Sequence, residues 1–171
     1  MPSHPLTLRP TTARVRQALF NIWQGQVAGR SFLDLCTGTG AVAEMALTLG
    51  ATPVVAIERA NRPAGQLRQR WSHHFPNQTW QVITGTIPRC LGALTPPYGC
   101  FDRIFLDPPY DAGLYLPTLA ALAHLEILHP QGELAVEHRL RQPLPPVVGH
   151  LHLSGQRVYG DTALSFYQAK P

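Results

Sequence analysis

Residues 31–40 read SFLDLCTGTG, and this stretch decides the fold. An apolar run of strand length enters a glycine turn, and a helix-forming stretch, 41–49, follows. This order brings the backbone close to a nucleotide-like ligand at the carboxyl edge of a sheet. Gly38 and Gly40 permit positive φ and close approach, although any tight turn between strand and helix favours glycine. The turn lacks the Lys-Ser or Lys-Thr pair of a phosphate-binding loop, and Asp34 before it favours a neutral or cationic ligand.

A second apolar run, 53–58, predicts the neighbouring strand, and it ends in Glu58. An acid at the tip of the next strand, about 20 residues after the glycines, is the usual partner of a ribose hydroxyl. The simpler alternative is a solvated charge that pairs with Arg59 or Arg62. Only the combination with the glycine turn favours the ribose.

A third apolar run, 101–107, leads into Asp107-Pro108-Pro109-Tyr110. Two prolines fix φ and remove two backbone donors, so the chain must leave the sheet at this point. The Asp107 carboxylate, the Pro108 carbonyl and the Tyr110 ring then converge, an arrangement that suits a planar group carrying an NH2. Taken alone, the motif fits a strand-ending turn equally well.

The remaining pattern predicts one α/β domain over residues 1–171, with a mostly parallel sheet and helices on both faces. Thr11 or Thr12 caps an opening helix. This segment, 1–24, is expected to pack over the ligand edge. The helix is predicted to bury one face, formed by Val15, Leu19, Ile22 and Trp23. Further strands are predicted near 79–84 and 133–138, further helices near 61–74 and 114–128, and a C-terminal antiparallel hairpin from 150–154 and 163–168.

The charge composition indicates which binding partners the chain could have. The chain has 14 basic and 10 acidic residues, a net charge of +4, which is mild for a nucleic-acid-binding protein. Among the arginines, the first cluster favours phosphate contact, whereas those between 62 and 70 are interpreted as a solvated helix face. That first cluster consists of Arg9, Arg14 and Arg16.

Three cysteines without Cys-x-x-Cys spacing predict free thiols in a reducing cytoplasm. No histidine or cysteine spacing predicts a metal site. No apolar run reaches the length of a membrane span, and the first residues lack the apolar core of a signal peptide.

The motifs together resemble the class I S-adenosylmethionine-dependent methyltransferases, which have a Rossmann-like fold. Within that class the chain is similar to the RsmD-like 16S rRNA (guanine-N2) methyltransferases. The likeness runs from about Arg9 to Tyr167, and it rests also on Arg9-Pro10-Thr11-Thr12 and on Tyr159-Gly160-Asp161-Thr162.

The resemblance implies S-adenosyl-L-methionine as cofactor. It implies 16S rRNA, or an assembly intermediate of the small ribosomal subunit, as the partner of a monomeric enzyme. By the same resemblance, methyl transfer takes place at Asp107, Pro108, Pro109 and Tyr110. The cofactor-binding residues would be Asp34, Thr37, Gly38 and Gly40 around the methionine end, Glu58 at the ribose, and Thr86 and Ile87 at the adenine.

Two other classes stay open. One is a related amino-group methyltransferase acting on DNA, another RNA or a smaller base-containing substrate, although 171 residues leave no room for a DNA target-recognition domain. The other is a degenerate binding module without catalysis. Two departures favour a degenerate module weakly: Thr86 stands where the family usually has Asp or Asn, and Met45 replaces a Glu. The intact elbow formed by Asp107-Pro108-Pro109-Tyr110 opposes it.

Overall fold

The computed structural model describes residues 12–94 and 98–170. The helices are α1 (Ala13–Ile22), α2 (Ala41–Thr48), α3 (Asn61–His74) and α4 (Tyr115–His124), with a 3-10 turn at Leu91–Leu94. The strands are β1 (Phe32–Asp34), β2 (Val54–Glu58), β3 (Trp80–Thr84), β4 (Phe101–Leu106), β5 (Leu128–Arg139), β6 (Val147–Val148), β7 (Leu151–Tyr159) and β8 (Thr162–Ala169).

The strands form one sheet in the order β3-β2-β1-β4-β5-β8-β7-β6. Strands β1 to β5 are mutually parallel, and β8 runs antiparallel to both β5 and β7. Asp34 stands in register with Ala56 of β2 and Phe105 of β4, so these carboxyl ends meet at one edge. The predicted fold class, a mostly parallel sheet with a C-terminal antiparallel hairpin, is confirmed.

Helices cover both faces of the sheet. On one face α1, α2 and α3 pack in a core cluster that includes Phe32, and on the other α4 and the 3-10 turn pack in a cluster that includes Leu33. Successive strand residues point to opposite faces, and both faces are covered, so the central strands are apolar throughout.

The opening helix begins where the sequence predicts. Thr12 is its N-cap, and the Thr12 hydroxyl accepts a hydrogen bond from the Val15 amide at 3.3 Å. The predicted buried face is wrong at Ile22, which is 36% exposed, whereas Phe20 is buried. With 100° between successive residues, the buried face centres between Leu19 and Trp23 and leaves Ile22 at its margin.

Three other predicted boundaries are wrong. Strand β7 continues to Tyr159, directly before the turn, rather than ending at 154. Helix α4 ends at His124 rather than near 128, because Glu126 adopts a φ of 50° that a helix cannot continue through. Strand β5 therefore starts at Leu128, ahead of the predicted 133. The two-residue strand β6 was not predicted, since so short a segment carries no periodic signal.

Candidate active site

The carboxyl edge of the sheet brings the predicted cofactor segments together. The Leu35 amide donates to the Phe105 carbonyl and the Thr37 amide to the Ile57 carbonyl, both at 3.0 Å. The Gly85 amide donates to the Glu58 carbonyl, also at 3.0 Å. These bonds extend the ladder past the strand ends, and they place the glycine turn between Glu58 and the elbow that follows β4.

The two glycines of the turn differ in what they permit. Gly40 adopts a φ of 85°, which other residues rarely adopt, and a Cβ there would clash with Leu67 Cδ2, so this position favours glycine and the close packing of α3 against the turn. Gly38 also has a positive φ, of 53°, but an added Cβ would meet nothing within 4 Å. Gly38 therefore presents open backbone that a ligand can approach, whereas Gly40 serves packing.

Asp34 is a buried acid directly beneath this turn. Its side chain is 1% exposed, and the Thr37 hydroxyl donates to Oδ2 at 2.8 Å. Oδ1 is buried and has no hydrogen bond of ordinary geometry among the described residues, although the Cys36 and Ala43 amides lie close enough to the carboxyl to lower its pKa. Burial raises the pKa of Asp34 to about 7 against the Thr37 hydrogen bond, and the nearby Asp107 charge adds to the rise. A positive charge bound at the turn would hold the carboxyl ionised, so this site fits the ammonium of an amino-acid moiety.

Arg70 anchors the glycine turn, a contact that sequence reasoning missed. Its Nε donates to Glu44 Oε1 at 2.6 Å, and its terminal nitrogen donates to the Thr39 carbonyl, also at 2.6 Å. The Trp71 indole donates to the same Glu44 oxygen at 2.7 Å. The interpretation of residues 62–70 as a solvated face is therefore wrong for Arg70.

Arg68 is exposed, as that interpretation expects, and it also donates to the Val82 carbonyl and the Thr84 hydroxyl of β3. Met45, the residue in place of a family Glu, packs against the first core cluster.

Glu58 lies half-buried at the end of β2, where Oε1 accepts from the Ala60 amide at 2.9 Å. This bond fixes the carboxylate at the edge, and no described ion pair joins it to Arg59 or Arg62. Beyond β3, Thr86 is exposed and Ile87 is buried. The ribose and adenine contacts predicted for these residues stay predictions.

The elbow after β4 presents Tyr110 between two residues of neighbouring strands. Pro108 is buried, and the flanking residues of the motif are half-buried. The Tyr110 hydroxyl lies 3.4 Å from the Thr162 hydroxyl, and Arg139 Cζ lies 4.9 Å from the centre of its ring. Arg139 also forms a two-pronged pair with Asp111, at 3.0 and 3.3 Å. Arg139 and Thr162 face each other across β5 and β8, so this cross-strand pair positions the ring.

Further acids lie close to the elbow. Glu137, on the strand next to Asp107, is 4% exposed, and its carbonyl accepts from the Tyr115 hydroxyl at 3.0 Å. Burial raises the pKa of Tyr115, and the charges of Asp107, Tyr110 and Glu137 contribute to the rise. With Asp34, these acids make the edge carboxylate-rich, which suits a cationic ligand. Sequence reasoning did not single out Glu137 or Tyr115.

Burial raises the pKa of the Cys36 thiol, so the thiol stays protonated and is not a nucleophile. All three cysteines are free, as predicted. Within the described ranges no group of three or more His, Cys, Asp and Glu side chains could hold a metal ion. None of the helices in those ranges is long and apolar enough to cross a membrane.

The structure describes two of the three arginines predicted to bind RNA. Arg9 lies outside the described residues, Arg14 is exposed near the start of α1, and Arg16 is half-buried. Their role in RNA binding stays a prediction.

A mostly parallel sheet with this strand order, a glycine turn and an Asp-Pro-Pro-Tyr elbow at its carboxyl edge define a class I methyltransferase fold. The solved structure of yhhF from Escherichia coli superposes with a TM-score of 0.83 at 26% identity, over 97% of this chain and 90% of that chain. TrmN from Thermus thermophilus gives a TM-score of 0.73 at 25% identity, over 96% of this chain and 51% of that chain.

The chain belongs to the family described as Conserved hypothetical protein 95, whose model matches residues 2–168. It is 29% identical over 161 residues to Ribosomal RNA small subunit methyltransferase D of Escherichia coli (strain K12). This alignment covers 94% of the present chain and 79% of the relative. The predicted membership of the RsmD-like methyltransferases is thereby confirmed.

Proposed function

We propose that the protein transfers a methyl group from S-adenosyl-L-methionine to the exocyclic 2-amino group of a guanine in 16S rRNA. The observation that carries the proposal is the position of the Asp107 to Tyr110 elbow beside the buried Asp34 and the open Gly38 backbone. The name of the Escherichia coli relative supports small-subunit ribosomal RNA as the substrate.

The cofactor-binding half of the proposal uses the carboxyl edge. Asp34, with Thr37 and the Gly38 backbone, would hold the methionine end, and Glu58 the ribose. The first turn after β3, at Thr86 and Ile87, would face the adenine. When bound, the cofactor supplies an electrophilic methyl group on a sulfonium, and the carboxylates of this edge favour that positive charge.

At the elbow, protein groups orient the acceptor. The Asp107 carboxylate and the Pro108 carbonyl would each accept one N–H of the guanine amine, which turns the nitrogen lone pair away from the ring. Tyr110 would stack on the base and fix its plane. Asp107 takes a proton only after the nitrogen has gained its methyl group and become cationic, because a carboxylate is too weak a base for the neutral amine. The guanine must leave its stack in the RNA to reach this pocket.

The experiment uses methyl-labelled S-adenosylmethionine with three acceptors in parallel: stripped small ribosomal subunits, naked 16S rRNA and DNA. Digestion and identification of the labelled nucleoside then reads out the reaction. The proposal expects label in N2-methylguanosine from one of the ribosomal acceptors. Label only in DNA or in another nucleoside would reassign the substrate, and no label with any acceptor, despite cofactor binding, would support a non-catalytic module.

An rRNA substrate would place the enzyme in the cytoplasm. We expect a monomer, and light scattering of the purified protein tests this. A dimer at assay concentration would contradict the expectation.

A further inference from the structure

A cavity of about 330 Å3 lies between the start of α1 and the turn that joins β7 to β8. The described residues that line it come from both elements: Thr12, Arg14, Val15, Tyr159, Gly160, Asp161 and Thr162. Its size lies within the range of pockets that hold small ligands, roughly 300–1,000 Å3. The cofactor residues do not line it, so this cavity is separate from the glycine turn.

The cavity shares a wall with the proposed active site. Thr162 lines the cavity, and its hydroxyl lies 3.4 Å from the hydroxyl of Tyr110. Thr162 also pairs across the sheet with Arg139, whose guanidinium stacks on the Tyr110 ring. A ligand in the cavity would therefore lie next to a base stacked on Tyr110.

Apart from Asp161, an exposed acid that can accept a hydrogen bond from a ribose hydroxyl or a base N–H, the lining matches the groups of a ribonucleotide. Tyr159 offers an aromatic ring that is half-buried against the first core cluster and also lines the cavity. The Thr12 and Thr162 hydroxyls can each hydrogen-bond a ribose 2′-hydroxyl or a base edge. Exposed Arg14 offers a guanidinium at the mouth. Aromatic stacking, hydroxyl contact and an arginine for phosphate are the means by which proteins bind single-stranded RNA.

We propose that this cavity binds the ribonucleotide adjacent to the target guanine, with Tyr159 stacking on its base and Arg14 contacting its phosphate. The inference rests on the proposed function, because it names a second subsite of the same RNA site. It gives the segment from Tyr159 to Thr162 a role: Tyr159 stacks on the neighbouring base, and Thr162 lies between the cavity and Tyr110.

The test compares Tyr159→Leu with Tyr159→Phe, which keeps the ring. Direct binding is measured with a short single-stranded RNA that contains one guanine. Methylation is measured with the ribosomal acceptor. Loss of stacking in Tyr159→Leu should raise the Kd for the RNA and the KM for the acceptor about 5- to 100-fold, with S-adenosylmethionine affinity unchanged. Tyr159→Phe should stay close to wild type. Equal RNA affinity in Tyr159→Leu and wild type would overturn the proposal.

An abasic site next to the guanine sharpens the result. It should weaken binding to wild type, and it should weaken binding to Tyr159→Leu much less, because the lost base and the lost ring belong to one contact. If the abasic site weakened binding equally in wild type and Tyr159→Leu, the neighbouring base would not contact Tyr159.

Arg14→Ala should weaken binding and reduce the salt dependence by about one phosphate contact, whereas Arg157→Ala, an exposed arginine of β7 outside the cavity lining, should do neither. If RNA binding by Arg14→Ala and by wild type depended equally on salt, Arg14 would not contact a phosphate. A wild-type protein that binds the RNA through Tyr159 but methylates no acceptor would sink the proposed function alone. A wild type that methylates rRNA while Tyr159→Leu keeps its KM would sink this inference alone.

Discussion

The proposed cofactor half and the proposed acceptor half of the edge are built in different ways. Around the glycine turn the key groups are buried or pinned from beneath: Asp34 is 1% exposed, and Arg70 ties the Thr39 carbonyl to α3. Around the elbow, Tyr110 is positioned at the surface by Arg139 and Thr162, which belong to the C-terminal hairpin side of the sheet. A turn anchored from beneath, beside a half-buried elbow held by side chains of the neighbouring strands, suits one small, constant ligand and one large macromolecular partner.

The largest effect is expected at the elbow. Asp107→Ala removes an acceptor for the amine and the group that takes up its proton, so kcat should fall about 100- to 1,000-fold. At pH 8 or above, where Asp34 is ionised with or without the Asp107 charge, cofactor affinity should change little, because Asp107 does not belong to the glycine turn. Single-turnover methylation of the ribosomal acceptor and calorimetric titration with S-adenosylmethionine measure the two effects. Near-normal turnover would remove the elbow from the reaction.

Asp34→Asn probes the cofactor half. Loss of the negative charge beneath the turn should weaken S-adenosylmethionine binding about 10- to 100-fold, with smaller loss of kcat at saturation. In wild type the affinity should rise as pH rises through about 7, where Asp34 becomes ionised. Asp34→Asn should lack this rise, and Asp107→Asn should move its midpoint to lower pH, because the Asp107 charge helps to raise the pKa of Asp34. A flat wild-type profile would contradict the role of Asp34.

The same acid has a consequence for stability. Its folded pKa of about 7 lies above the unfolded value of 3.8, so the folded state binds more protons between these pH values. The free energy of unfolding without ligand should therefore fall as pH rises from about 4 to about 7, by up to about 4 kcal/mol. Denaturant unfolding of wild type and Asp34→Asn across this window checks the slope, which the variant should lack. An identical slope in both proteins would show that other groups cause it.

Arg70→Ala should loosen the glycine turn without touching the ligand itself. We expect cofactor affinity to fall about 3- to 10-fold, a modest change because the Arg70–Glu44 pair is partly exposed and screened. Arg62→Ala, on the exposed face of the same helix, is the matched control and should bind like wild type. Equal affinities in the two variants would show that the anchor has no effect on the turn.

The smallest effect is expected from Arg139→Ala. The exposed stack on Tyr110 is worth about 0.5–1 kcal/mol, so acceptor KM should rise about 2- to 5-fold at unchanged cofactor affinity. Arg141→Ala provides the control, since Arg141 is exposed and has no described contact with the elbow. A loss of cofactor affinity in Arg139→Ala would mean that the two halves are not separately held.

Local motifs explain what could be predicted from the sequence. The glycine turn and the Asp-Pro-Pro-Tyr elbow carry their own backbone constraints, so their positions at one edge follow once the strands are parallel. Helix α3 begins and ends where predicted. The Arg70–Thr39 and Arg139–Tyr110 contacts join residues about 30 positions apart, and no spacing rule relates such pairs before the sheet order is known. The end of α4 depended on one residue, Glu126, whose positive φ is not encoded by a glycine or asparagine.

The most direct measurement determines cofactor Kd and saturated kcat side by side for Asp34→Asn and Asp107→Asn with the ribosomal acceptor. Separate halves predict opposite results: Asp34→Asn raises Kd and keeps most of kcat, whereas Asp107→Asn loses kcat and keeps Kd. If both substitutions changed the same parameter, or if Asp107→Asn methylated guanine at the wild-type rate, the division of the edge into a cofactor half and an acceptor half would be wrong.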